Sequence, residues 1–151
     1  MTTTTTTEPT PETMRPALAG IHHIGLTVRD QASSADWYCR VLGLVRLFEE
    51  PHHDSPAGGS AVVVGTPDLR YCIGLDRHPS HAGEPFDATR TGLDHLSFLV
   101  ETAGDLRGWC DHLTACEVEH SGGYQVPGIP ATFVTFRDPD GLQLELIAMQ
   151  G

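Results

Sequence analysis

The 151 residues carry 20 acidic and 9 basic side chains, a formal charge of −11, and suffice for one domain or two small halves around a proper core. All nine basic residues are arginine, which excludes Schiff-base chemistry on lysine and a lysine-anchored pyridoxal cofactor. An acidic chain without a basic cluster argues against nucleic acid or an anionic membrane as partner, and suits a small, cationic ligand as well as simple solubility.

Residues 1–17, rich in Thr and Pro and almost free of large apolar groups, read as a disordered tail. "IHHIGLTV" follows as a strand and "QASSADWYCRVLGL" as a helix, with Trp37 and Val41 on one face and Gly43 as its stop. "VRLFEE", "SAVVVG" and "LRYCIGL" read as three strands that complete a first unit over 18–76. Residues 77–91 form a polar linker full of turn formers. The order then recurs over 92–151: strand "LDHLSFLV", helix "GDLRGWCDHLTAC", strand "EVEHS", loop "GGYQVPGIP", and strands "ATFVTF" and "LQLELIAM" joined by the turn "RDPDG". The Pro and Gly of that turn fit turn chemistry and carry no functional message by themselves. "AGGSAVVVG" matches no phosphate-binding loop. Cys39, Cys72, Cys110 and Cys116 form no C-x-x-C pair, and neither a signal-peptide pattern nor an apolar run of membrane length accompanies them. Free thiols in a reducing cytoplasm are the expectation.

The two units superpose as sequences. "GIHHIGLTV" lies over "GLDHLSFLV" at an offset of 72, which matches Gly20 to Gly92, His23 to His95 and Trp37 to Trp109. With one residue inserted, "LRYCIGL" lies over "LQLELIA", which sets Cys72 opposite Glu145. His22 matches Asp94 and, by strand alternation, should face away from His23. Packed about a pseudo-twofold axis, such units bring His23, Cys72, His95 and Glu145 to one concave face. Two imidazoles and one carboxylate are a donor set that suits iron(II), manganese or zinc with positions left for water and substrate. Satisfied core polar groups are the competing reading. The symmetry match of the two histidines, with a Glu between Leu144 and Leu146, favours the metal.

"HIGLTV", "LGL", "DHLSFLV" and "FRDPDGLQLEL" make residues 18–150 resemble the vicinal oxygen chelate superfamily of glyoxalases, extradiol dioxygenases, epimerases and bleomycin- and fosfomycin-resistance proteins. The resemblance implies an α+β fold of two tandem βαβββ modules forming a cupped mixed sheet around a divalent metal. The implied metal ligands are His23, His95 and Glu145, and the metal binds oxygens of a small substrate. Glyoxalase I and the epimerase resemble each other in a fourth ligand, Glu or Gln, at the position that Cys72 occupies in this chain. Fosfomycin transferases share the trio but grip the phosphonate with cationic groups, where this chain has "HSGGYQVPGIP" and no lysine. Extradiol dioxygenases carry a Tyr ten residues before the metal Glu, where this chain has Thr135.

Alternation extends the inward set to Arg70, Cys72, Ser97, Phe133, Thr135 and Gln143, with Tyr124 and "EEPHHD" (49–54) as rim or lid. Arg70 either clamps a substrate anion or pairs with a structural acid. His52, His53, His78, His81, His112 and His120 are the histidines from which an acid–base group would come. The resulting expectation is a metal-dependent enzyme with iron(II) favoured over manganese, zinc or nickel, and oxygenase chemistry favoured over lyase, isomerase or glyoxalase-like chemistry. A drug-sequestering protein is the non-enzyme alternative. The resemblance also implies a homodimer, with the site completed either within one chain or across two.

Overall fold

In the computed structural model, residues 16–52 and 58–150 are described; the Thr-rich stretch up to residue 15, together with His53 and Asp54, lies outside them. The elements run β1 (His23–Thr27), α1 (Gln31–Leu42), β2 (Val45–Pro51), β3 (Ser60–Gly65), β4 (Cys72–Arg77), β5 (His95–Leu99), α2 (Ala103–Ala115), β6 (Tyr124–Gln125), β7 (Ala131–Arg137) and β8 (Gln143–Met149). They form two four-stranded mixed sheets, ordered β1-β4-β3-β2 and β5-β8-β7-β6. In each sheet the first and last strands of the module pair in parallel and the remaining pairs are antiparallel. The α+β architecture of two βαβββ modules is therefore the fold.

The helices start and stop where local chemistry requires. Asp30 caps α1 by accepting the Ser33 N–H at 2.8 Å, and Thr102 and Asp105 form a reciprocal capping box on α2. α1 ends at Gly43, whose φ of 68° lies in the left-handed region, with nothing within 4 Å of where a Cβ would sit. Gly43→Ala therefore carries a purely conformational penalty, expected at about 1 kcal/mol and measurable as a lowered urea midpoint with an unchanged m-value.

Sheet alternation decides what is core. Leu26, Val64, Ile73, Leu75, Val134, Leu144 and Leu146 join Ala35, Tyr38 and Val41 of α1 and Leu106 and Leu113 of α2 in one hydrophobic cluster spanning both modules. On the opposite sheet faces His23, Gly25 and Thr27 of β1 and His95, Ser97 and Leu99 of β5 are exposed, whereas Cys72 and Phe133 on the inner strands are buried. β1 and β5 are also edge strands of their sheets.

The "RDPDG" turn ties the modules together. Asp138 accepts the Tyr38 hydroxyl at 2.9 Å and the N–H groups of Asp140 and Leu142, both at 2.9 Å. Asp140 accepts Arg29 Nε at 2.6 Å and Ser34 Oγ at 3.4 Å, while Arg29 Nη2 donates to the Pro139 carbonyl at 2.7 Å. Both aspartates are buried, and so are Ser34 and Tyr38. Burial, then the neighbouring Asp138 carboxylate, pushes the Tyr38 phenol far above its usual range. A turn that reads as plain turn chemistry thus locks the β7–β8 hairpin of the second module onto α1 of the first.

Two local expectations change. "EVEHS" is not a strand; its His120 makes only an isolated bridge to Phe136, and the edge strand β6 forms instead inside the Gly-rich loop at Tyr124–Gln125. β4 begins at Cys72, so Leu69, Arg70 and Tyr71 belong to the turn before it.

Candidate functional site

On the first sheet the cross-strand pairs are His23 with Cys72, Gly25 with Gly74 and Thr27 with Asp76. Above them lies a cavity of about 360 Å³ whose lining includes His22, His23, Phe48, His52, Cys72 and Asp76. The expectation that His22 faces away from His23 does not hold. β1 begins at His23, so alternation does not govern residue 22, and the Nδ1 atoms of the two rings lie 3.0 Å apart. In the tautomer in which His23 Nδ1 donates to His22 Nδ1, Nε2 of His23 keeps its lone pair for a ligand. His52, at the end of β2, sets its Nε2 3.8 Å from Asp76 Oδ1 and packs its ring edge-on against His78, centroids 4.5 Å apart. His81, His112 and His120 instead bond nearby backbone groups. Of these acid–base candidates, His52 is the one that, among the described residues, lines the cavity with His23.

On the second sheet Ser97 pairs with Glu145 across β5 and β8, and its hydroxyl donates to Glu145 Oε1 at 2.7 Å. His95 is the diagonal neighbour of Glu145 on the same face, and its Nδ1 lies 2.7 Å from the Asp94 carboxylate. That contact fixes the imidazole proton on Nδ1 and leaves Nε2 as the lone-pair donor, as an outer-sphere carboxylate does for a metal-bound histidine. Gln143, Thr135 and Phe133 share this face by register, and Tyr124 stacks on Phe133 with centroids 5.7 Å apart. Arg70 takes the structural pairing: its Nε donates to Asp68 at 2.8 Å, and its side chain is 82% exposed.

Strand pairing revises one correspondence between the modules. The offset of 72 matches His23 to His95 and Gly25 to Ser97. Their partners then match Cys72 to Gln143 and Gly74 to Glu145. The first-module counterpart of Glu145 is therefore a glycine, and Cys72 does not occupy the symmetry-related position. Where the second module sets Ser97 against Glu145, the first sets two glycines. Asp76 fills the space, its Oδ2 lying 3.0 Å from a Cβ built on Gly25 and 3.6 Å from one on Gly74. The counterpart of Asp76 in the second module is Ile147, so the repeat does not mark it; its alternation with Cys72 and Gly74 is the signal that places it on this face.

Within one chain no group of three or more His, Cys, Asp or Glu side chains able to hold a metal ion exists among the described residues. His95 and Glu145 share a face of the second sheet, and His23 stands on the first. The donor types nevertheless fit a divalent ion, since each of the three keeps one donor atom beyond the one its neighbour engages.

The sequence model of the Glyoxalase/Bleomycin resistance protein/Dioxygenase superfamily matches residues 20–146. The chain belongs to this superfamily. Within it, the chain is 32% identical over 131 residues to the uncharacterized protein YaeR of Escherichia coli (strain K12), covering 85% of this chain and 95% of that one. A glyoxylase/bleomycin resistance protein/dioxygenase domain from Frankia sp. EAN1pec is 31% identical and superposes with a TM-score of 0.76 over 89% of this chain and 94% of its own. The fold, at 16% identity and a TM-score of 0.58, is also that of FosX, a fosfomycin resistance protein from Listeria monocytogenes, in a complex with Mn(II) and sulfate; the match covers 87% of this chain and 93% of that one. For a superfamily member of this kind, no helix among the described residues is long and apolar enough to cross a membrane.

Proposed function

We propose that the chain is a divalent-metal-dependent enzyme whose ligands are His23, His95 and Glu145, with iron(II) as the metal and oxygenase chemistry on a small oxygen-chelating molecule as the reaction. The observation that carries this reading is the way three side chains are prepared: Asp94 engages His95 Nδ1, Ser97 engages Glu145 Oε1, and His22 engages His23 Nδ1. Each is oriented by one atom and has another to give. Two neutral imidazoles and a carboxylate are the set typical of iron(II) sites that bind substrate and dioxygen side by side. When bound, the ion supplies Lewis acidity and open positions for oxygen atoms. The chain's own contributions are binding and orientation: Tyr124 stacked on Phe133 as an apolar wall, and Thr135 and Gln143 as hydrogen-bonding groups on the same face as Glu145. Gly74 at the counterpart of Glu145 favours three protein ligands over the four of a glyoxalase-like isomerase site.

The ligand set is completed in a homodimer, His23 of one copy meeting His95 and Glu145 of the other. In support, His23 and His95 are exposed and Glu145 partly so, β1 and β5 are sheet edges, and the apolar side chains of Leu18, Ile21 and Leu99 are 95%, 78% and 73% exposed.

The test is anaerobic reconstitution with iron(II), followed by the electron paramagnetic resonance of the nitric oxide adduct. One high-spin iron–nitrosyl species per chain, sharpened by a chelating substrate, is expected. Tight binding of nickel, manganese or zinc with no binding of iron overturns the oxygenase assignment and leaves Lewis-acid chemistry. A protein that takes up no divalent ion yet binds small molecules is a carrier.

A further inference from the structure

The first-module cavity contains a carboxylate that the metal reading does not use. Asp76 sits on β4 with its side chain 17% exposed; its carbonyl accepts the Val28 N–H, but among the described residues its carboxylate accepts no hydrogen bond, and His52 Nε2 stands at ion-pair distance, 3.8 Å. Its Oδ2 lies over the hollow left by the cross-strand pair Gly25 and Gly74. A Cβ at Gly25 would come to 3.0 Å of that oxygen, so a side chain there would make the carboxylate give by a few tenths of an ångström. The hollow is one residue pair removed from His23 on the same face, about 6–7 Å along the strand. A ligand held by its oxygens beside His23 would extend over the two glycines toward Asp76.

The rest of the cavity matches a positively charged group rather than an anion. Among the described residues that line it, none is an arginine. Arg70, the nearest in sequence to β4, is turned to Asp68. A largely desolvated carboxylate without a hydrogen-bond donor is costly, and an ammonium or amidinium group answers both deficits at once.

We propose that Asp76, set in the Gly25–Gly74 hollow, forms a subsite for a cationic nitrogen group on the ligand whose oxygens are chelated beside His23. The proposal rests on the metal reading above and makes the ligand a small chelating amine, not a phosphonate or carboxylate.

Three probes that differ only in the charge of their tail test it: benzohydroxamate, its 4-aminomethyl analogue and its 4-carboxy analogue. Binding of each to the full-length Mn(II)-loaded protein is measured by calorimetry at physiological salt. The aminomethyl probe is expected to bind at least about tenfold more tightly than the carboxy probe, the scale of one charge-assisted hydrogen bond. In Asp76→Asn that advantage is expected to shrink to about twofold, the residue left by the overall negative charge of the protein. Gly25→Ala provides a second route, because its Cβ fills part of the hollow and pushes Asp76 Oδ2 aside by a few tenths of an ångström, which should lower the aminomethyl advantage without touching His23. Equal binding of the three probes, or a preference that survives both substitutions, overturns the subsite while leaving chelation intact. If the protein holds Mn(II) but none of the probes, or holds no metal at all, the chelation reading fails and the subsite falls with it.

Discussion

Mixing His23→Ala chains with Glu145→Ala chains is expected to restore metal binding that neither variant has alone. With the proposed shared site, each variant homodimer would lack one of three ligands at both sites, and its affinity should fall by more than the roughly 100-fold upper range for losing an outer-sphere partner. In a heterodimer with shared sites, one site inherits both defects and the other neither. Random exchange of subunits should therefore return about one quarter of the wild-type metal content. Were His23, His95 and Glu145 to meet inside one chain, every site in the mixture would remain defective. Unfolding, exchange and refolding of the two variants, followed by metal analysis of the dimer, distinguishes these outcomes. The smaller companion effect is Asp94→Asn, which removes the charge that orients His95 and should weaken metal binding about 10- to 100-fold without abolishing it.

Asp138→Ala should destabilise the fold by about 3–5 kcal/mol, since it leaves the Tyr38 hydroxyl and the Asp140 and Leu142 N–H groups without their acceptor in a buried setting. For a chain of this size that corresponds to a fall in melting temperature of about 10 °C. Arg29→Ala should cost less, about 1 kcal/mol, because the Arg29 side chain is 42% exposed and its pairing with Asp140 is screened. Asp138 also predicts a pH dependence. Burial first, and Asp140 beside it, raise the Asp138 carboxyl above the ordinary 3.8, against the lowering effect of Tyr38 and the backbone N–H groups. The folded chain then holds this proton more tightly than the unfolded chain. The associated stabilisation is complete below pH 3.8 and is lost as pH rises through the raised folded value. Melting curves taken from about pH 4 upward should show this decline in the wild type and a flatter profile in Asp138→Asn. A parallel profile in the two proteins would rule Asp138 out as the source.

The repeat is legible in the sequence because β1 and β5 keep the same polar landmark, His23 and His95, at one fixed offset. Even the glycines preceding them agree, since Gly20 and Gly92 both adopt φ of 149°. The matching of β4 with β8 is not recoverable in the same way. Aligning Cys72 with Glu145 and aligning Gly74 with Glu145 differ by two residues, and a two-residue slip leaves the in–out alternation of a strand unchanged. Only pairing to β1 and β5 fixes the register. His22 departs from expectation for a related reason: alternation holds inside a strand, and its strand starts one residue later. "EVEHS" has the alternation of a strand but makes a single bridge to Phe136, whereas Tyr124–Gln125 is strand because β7 offers it an edge. The bond from Arg70 to Asp68 is one of two fates open to that side chain, and it follows from β4 starting at Cys72. The role of "RDPDG" is invisible in the sequence because its partners, Tyr38 and Arg29, lie 100 and 111 residues away.

The glycine at position 74 bears on how the two halves diverged after duplication. An acidic side chain, Glu145, stands at this position in the second module, and the first has none there. Against a dication, one formal negative charge leaves a surplus of one positive charge, whereas a symmetrical pair would cancel it. In the proposed metal site, a ligand that gave up a proton from a hydroxyl would complete the neutralisation itself. In that sense the asymmetry transfers part of the coordination sphere from inheritance to the guest.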